Sequence, residues 1–544
     1  MEVMQRNFNR KRKILKQKYL FKLANVWKID LFIKCKNIYL KKEISVKNKS
    51  ILVIVLMLIV IVFTSSSLTV FAGANVEEAK AIVIKWADEN ATHISEVSYK
   101  IWEYAEMGLK EFKSSDLLVN ELEANGFKIE RGLAGMPTSF VGTYTQGTGK
   151  PVIGFLAEYD ALPNGHTCGH NLFGAGSVAG AIATKEAMEK YNIDGTIKLF
   201  GTPTEDTHGG KVWMAREGVF NGCDAILSWH SGDKNKANYG SNLAVQILEI
   251  NFKGVSAHAG RVPEKGRSAL DGLMIASMAM EFLREHMIEP MRIQYIVTNG
   301  GQAPNVVPDF AQMKLVIRGP MMKDIEYLRS REGGVDDCIR AGALGSGTDV
   351  TMQVVGAFYN KLPNKTGSYL IIENMKAIGA PTFTEEENQY VQSLAEKYNI
   401  PLGKLDSEIH EPIDDTSKAS ADTGDVTYLA PLLSFSAATE ALDTPGHNVI
   451  KKEQNGMSIG WKGAIFAVKV LGYTALDLLT DETKLASIQN EFKEKLIGAD
   501  YRPILPKDLW PPIPEQNPSD FKGPSAQVHP KMEEPESLLF WKTK

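Results

Sequence analysis

The chain has 544 residues, 44% hydrophobic and 23% charged, with four cysteines. That composition excludes a disordered, collagen-like or disulfide-stapled protein, and the length predicts two or three domains. Charge is segregated: residues 1–50 carry 15 Lys/Arg against 3 Asp/Glu, residues 51–74 carry none, and the remainder holds 46 basic and 62 acidic side chains. An acidic body argues against a nucleic-acid partner.

Behind the basic segment 1–50, Ile51–Phe63 is an unbroken apolar run, and Ala72-Gly73-Ala74 follows as a small-residue cleavage site. The order charged, apolar, small predicts a signal peptide over 51–74, or a signal anchor through 51–72 if uncleaved. The body is then extracytoplasmic, either secreted or membrane-anchored. Fifty residues exceed an ordinary basic region, which suggests a translation start near residue 40.

From Val76 the apolar spacing predicts helices over Val76–Glu89 and Glu96–Asn125. Strands and helices then alternate: Val152–Ala157, Leu172–Tyr191, Thr196–Thr202, Asp224–Trp229. This alternation predicts an α/β sheet. The segment 243–357 reads as strand, helix, strand, strand, helix, strand, a ferredoxin-like (βαββαβ) unit inserted into the first domain. Helix and strand patterning resumes with Gly367–Ile378, Leu432–Ala437 and Gly456–Asp477. The expected organisation is a catalytic domain in two pieces, 75–242 and 358–500, an insert over 243–357, and a tail over 501–544 that holds nine of the 24 prolines.

Ligand sites of open α/β sheets lie beyond the carboxyl ends of strands. Four such ends carry polar clusters: His166-Thr167-Cys168-Gly169-His170-Asn171, Thr204-Glu205-Asp206-Thr207-His208, Ser228-Trp229-His230 and Thr444-Pro445-Gly446-His447-Asn448. Taken singly each is weak. A Cys-x-His pair is more often a buried thiol beside a capping histidine, and adjacent carboxylates usually face solvent. Together, a thiolate, imidazoles and a carboxylate suit Zn²⁺ or a similar transition ion. Five ligands exceed one tetrahedral site, so two ions sharing a bridge are expected. Glu158, Asp160 and His166 read as supporting neighbours, Asp422 and Asp425 as loop-shaping residues, and Gly174, Gly176 and Gly180 as close-packing positions on a helix.

HTCGHN, TPTED, SWH, GVSAHAGRVPEKGRSAL, PNVVP and TPGHN together resemble the aminoacylase/carboxypeptidase G type of metallo-amidohydrolase, and within that family the aminobenzoyl-glutamate hydrolase branch. The likeness spans roughly 77–480. It implies an α/β zinc-peptidase-like catalytic domain with an inserted lid or dimerisation domain, and hydrolysis of the amide of N-acyl or N-aroyl amino acids. The leading substrate is p-aminobenzoyl-glutamate, a product of folate catabolism. It also implies two divalent ions, Zn or Mn, held by Cys168, His170, Asp206, His230 and His447, with Glu205 as general base. His258 matches a lid histidine that reaches the carbonyl oxygen, and Asn305 a lid residue that contacts substrate. The implied partner is a second copy or a paralogous A subunit. Two departures stand out. Asp206 is one methylene shorter than the usual Glu, which leaves His208 as a substitute ligand, and Asn171 replaces a usual Asp. A dipeptidase on the same scaffold and a non-catalytic binding homologue are the alternatives.

Overall fold

A computed structural model describes residues 76–513 and the backbone of Leu539–Trp541. The expected basic and export segments and the middle of the tail lie outside those residues.

The first helix covers residues 76–89. The expected helix over Glu96–Asn125 is two, Ala91–Tyr104 and Phe112–Ala124. Between them Ala105 and Leu109 take positive φ, and the backbone at Gly108 sits so close to Thr204 and Thr207 that a Cβ there would collide with both hydroxyls. Five strands follow: β1 (Lys128–Arg131), β2 (Phe140–Gln146), β3 (Val152–Ala157), β4 (Gly195–Gly201) and β5 (Ala225–Gly232). β1 and β2 escape the sequence reading. β3 is buried at all six positions, which its continuous apolar run requires of a central strand.

The insert contributes β6 (Ala244–Lys253), β7 (Arg292–Asn299), β8 (Phe310–Gly319) and β9 (Asp349–Phe358), with the helix Ala269–Leu283 between the first two. The second helix expected in the insert is broken at Arg331–Gly334 into Met322–Ser330 and Val335–Ser346. β10 (Leu432–Ala438) returns to the first sheet, whose order is β1-β2-β4-β3-β5-β10. β4, β3, β5 and β10 run parallel, while β1 and β2 form the antiparallel margin. The insert's sheet is antiparallel throughout, in the order β11-β9-β6-β8-β7, where β11 is Leu539–Trp541 paired with Val350–Met352 of β9. The protein is therefore an α/β catalytic domain carrying an inserted lid.

Two buried helices brace the parallel sheet, His170–Tyr191 and Ser458–Thr480. The first approaches its neighbours closely because it is rich in small residues. A Cβ on Gly176 would stand 2.8 Å from the Trp229 ring, and one on Gly180 3.0 Å from Leu471. Those contacts fix the register of His170 at the start of the helix. Ser458–Thr480 is long and apolar enough to span a membrane, but it is mostly buried in the core.

Candidate metal centre

The carboxyl ends of β3, β4, β5 and β10 converge on one cavity of about 630 Å³. Cys168 and His170 flank Gly169, whose φ of +93° and tight approach to the Ser231 hydroxyl admit only glycine. That turn places the thiol and the imidazole on the same side. Cys168 Sγ lies 3.6 Å from His230 Nε2. His230 donates Nδ1–H to the Ser231 carbonyl at 2.9 Å, which leaves Nε2 as a lone pair aimed inward. Burial, then the Lys451 ammonium and His170, pushes His230 down to about 3, so it stays in the neutral, ligating form. His170 Nδ1 is 2.8 Å from Asp160 Oδ1, and its Nε2 also points inward.

Two sets of donor atoms lie within 4.8 Å of one another and share Cys168: Cys168, His170 and His230, and Cys168, Asp206 and His447. A shared thiolate between two triads is the pattern of a bridged pair of ions. The donor chemistry fits. Asp206 Oδ2 is buried with no hydrogen-bond partner, a costly state that a cation relieves, while His170 Nε2 meets Glu158 Oε2 at 3.0 Å. His447 Nε2 stands 3.4 Å from Asp206 Oδ1, so the shorter Asp206 reaches the cluster. His208 instead faces the Thr204 and Thr207 hydroxyls at 3.0 Å and joins neither triad. His166 is buried against the Ile101 carbonyl at 2.9 Å. Asn171 turns away to Ser98 and Asn455, and Asp160 orients His170 in its place.

Glu205 borders the cluster, with Oε2 4.0 Å from His170 Nε2. Burial, then the charges of Glu158 and Asp422, holds its carboxyl well above the usual range, as a proton acceptor working near neutrality requires. Thr204, just before it, adopts φ +59°, a strained conformation for a β-branched residue. The turn is pinned from below by Glu111, which accepts from the Thr204 amide at 2.8 Å and from the Thr138 hydroxyl at 2.9 Å.

Burial, reinforced by the charge of Asp160, pushes Glu111 up from 4.5 to about 8. Between those values the unfolded chain has lost the proton that the fold retains. Stability from this group is therefore full below pH 4.5 and is lost as pH rises toward 8. Glu111→Gln keeps both hydrogen bonds and removes the titration. Its melting temperature should equal the parent's at about pH 5 and exceed it by roughly 2–4 °C at about pH 8. A difference that is the same at both pH values would rule out this role for Glu111.

Two expected residues are not brought to the cavity. His258 and Asn305 are exposed on neighbouring lid loops, joined by a bridge between His258 and Val306 and by the Ala259 amide donating to the Asn305 carbonyl at 3.0 Å. Conversely, sequence reasoning misses three cations. Lys211 is fully buried between Glu158 (2.6 Å) and Asp422 (2.9 Å). Lys361 and Arg318 line the same cavity as the ligand candidates.

Residues 247–331 match the family description "Peptidase dimerisation domain". The B subunit of p-aminobenzoyl-glutamate hydrolase from Escherichia coli (strain K12) is 31% identical over 463 residues, 77% of this chain and 95% of that protein. The chain belongs to the M20 family of metallopeptidases and amidohydrolases. A Xaa-Arg dipeptidase of Homo sapiens is 28% identical over 75% of this chain and 91% of its own length. Among solved structures, an aminobenzoyl-glutamate utilization protein from Klebsiella pneumoniae matches 73% of this chain and 98% of its own, with a TM-score of 0.54 at 17% identity, a likeness of fold. Membership makes the chain a hydrolase of amide bonds with a metal centre and a dimerisation domain.

Proposed function

We propose that the protein hydrolyses N-aroyl or N-acyl derivatives of acidic amino acids, with p-aminobenzoyl-glutamate as the leading substrate, using two divalent ions, Zn²⁺ or Mn²⁺. The observation that carries the choice of leaving group is a set of basic side chains in the cavity. Lys236, Arg318 and Lys361 line the same cavity as Cys168, Glu205 and His447. Arg318 donates to the Ser420 hydroxyl at 2.7 Å, and among the described residues none of the three cations is paired with a carboxylate. Unpaired cations facing a half-enclosed cavity suit the two carboxylates of a departing glutamate. They oppose the arginine that the dipeptidase relatives' name specifies.

Cys168, His170 and His230 would hold one ion, and Cys168, Asp206 and His447 the other. Bound there, the ions supply Lewis acidity toward the scissile carbonyl and the attacking water. Glu205 takes the water's proton and delivers it to the leaving nitrogen. The exposed apolar residues Met274, Met278 and Phe282 on one lid helix support pairing with a second copy or with a paralogous A subunit. We place His258 and Asn305 over the partner's cavity. The apolar run Ile51–Phe63 ahead of Ala72-Gly73-Ala74 supports export.

The test is a panel of p-aminobenzoyl-glutamate, N-benzoyl-leucine and a dipeptide ending in arginine, assayed with Zn²⁺ and with Mn²⁺. The glutamate substrate should lead in kcat/KM by roughly 10–100-fold, the worth of a charge-assisted hydrogen bond. Lys361→Met should raise its KM by a similar factor and leave that of benzoyl-leucine unchanged. Preference for the arginine dipeptide would replace this reading with a dipeptidase, and no turnover of any of the three would favour a binding protein.

A further inference from the structure

We propose that Lys451 is a positioning residue of the metal centre: through the Ser231 carbonyl it clamps together the chain segments that carry Cys168, His230 and His447. The inference rests on the metal centre described above and adds to it a residue outside the donor set.

Ser231 is the hub of the clamp. It follows His230 near the end of β5 and is buried. Its carbonyl accepts from His230 Nδ1 at 2.9 Å and from Lys451 Nζ at 3.3 Å, which fills both lone pairs. Its hydroxyl donates to the Cys168 carbonyl at 2.7 Å. One residue thus sets the ring of one ligand candidate and the backbone of another. Lys451 brings in a third. It lies on the short helix Val449–Asn455, four residues after His447. The His447 side chain is 60% exposed, against 4% for the Asp206 it faces, and its backbone takes φ +55°. An exposed residue in a strained turn keeps its place only where the adjoining segment is fixed. Lys451 fixes that segment to the residue that already holds Cys168 and His230.

Lys451 is itself held. Its Nζ lies 3.1 Å from Glu440 Oε1, and both side chains are buried. Glu440 stands two residues beyond β10, and β10 pairs with β5 so that Ala437 faces Ser231. The ammonium therefore ties the carboxyl ends of two neighbouring parallel strands to the helix behind the His447 loop. A buried ion pair of this kind contributes little net stability over apolar residues of equal volume, because desolvation consumes the Coulombic gain. This pair is also incomplete: Glu440 Oε2 is buried with no hydrogen-bond partner among the described residues. A lysine so placed is a poor brace for the fold. What it supplies is direction, a donor aimed at the one carbonyl that also accepts from His230.

The test is Co²⁺ binding to the full chain, in which a thiolate-to-cobalt charge-transfer band reports the Cys168–metal bond. Lys451→Met combined with Glu440→Gln removes both buried charges at once, and its apo melting curve reports folding. Both triads share Cys168, so titration with Co²⁺ should show each site weakened roughly 10–100-fold, the usual effect of losing an outer hydrogen-bond partner, and the band should shift or fade. Lys451→Arg, which keeps a charged donor at this position, should recover most of that loss. Ser231→Ala leaves the ion pair intact and breaks only the hydroxyl link to Cys168, so it should perturb the same band whether or not the double variant folds. Removing a buried pair outside the cavity, Lys80→Met with Asp477→Asn, should lower the melting temperature and leave Co²⁺ affinity unchanged. An equal loss of affinity there would make the Lys451 effect one of general stability and overturn the proposal. So would wild-type affinity and band in the folded double variant, or an unchanged band in Ser231→Ala. A wild-type chain that takes up no Co²⁺ would instead overturn the metal centre on which the proposal rests.

Discussion

Glu205→Gln should lower kcat by roughly 10²–10⁴-fold, the usual contribution of a general base, while two Zn²⁺ ions remain bound. The carboxylate sits at the mouth of the ligand cluster, part-exposed to the cavity, and neither cysteine-containing triad includes it. Its raised proton affinity comes first from burial and then from Glu158 and Asp422, so the amide substitute removes the acceptor without disturbing Cys168, Asp206 or either imidazole. Metal content by mass spectrometry and turnover of p-aminobenzoyl-glutamate read the two halves of the expectation separately. Wild-type kcat in the variant would exclude Glu205 as the base, and loss of an ion would make it a ligand.

The second large effect concerns His258. In the single chain it lies exposed on a lid loop, outside the cavity that holds Glu205. The proposed role across a dimer therefore requires that His258→Ala keep both ions and lose roughly 10²–10³-fold in kcat, the worth of one donor to a developing oxyanion. Mixing separately inactive Glu205→Gln and His258→Ala proteins decides where the histidine acts. If it reaches the partner, some mixed dimers carry one intact cavity and activity returns. If it folds over its own cavity, or if the chain pairs only with a different subunit, the mixture stays inactive. Full activity of His258→Ala alone would make it an ordinary surface histidine.

Much of the architecture is legible in the sequence because period and polarity agree. The four lid strands and the helix from His170 lie where alternation and small-residue spacing put them. The departures have local causes. The break after Tyr104 leaves the apolar period intact, and a tertiary approach of Gly108 to Thr204 creates it. The break at Arg331–Gly334 carries its own signal in Gly333-Gly334. The polar helix Glu385–Tyr398 escapes a reading based on apolar spacing, although Thr384 and Glu387 form the capping box that marks a helix start. At the site, the ligand candidates announce themselves as clusters at strand ends. Lys211 and Lys361 do not, because a solitary lysine in a sequence carries no sign of burial. Only the fold brings Lys211 between Glu158 and Asp422, which are 53 residues before it and 211 after it.

The short strand Leu539–Trp541 limits where the lid sheet can grow. It hydrogen-bonds along β9, one margin of the lid sheet, while β7 forms the other margin with Ile296 and Val297 exposed. A sheet with two bare margins can recruit a neighbour on each side and so propagate without end. Here the chain's own tail occupies one margin with a strand three residues long, too short to template another. Edge-to-edge growth of the lid sheet is therefore open only along the β7 margin.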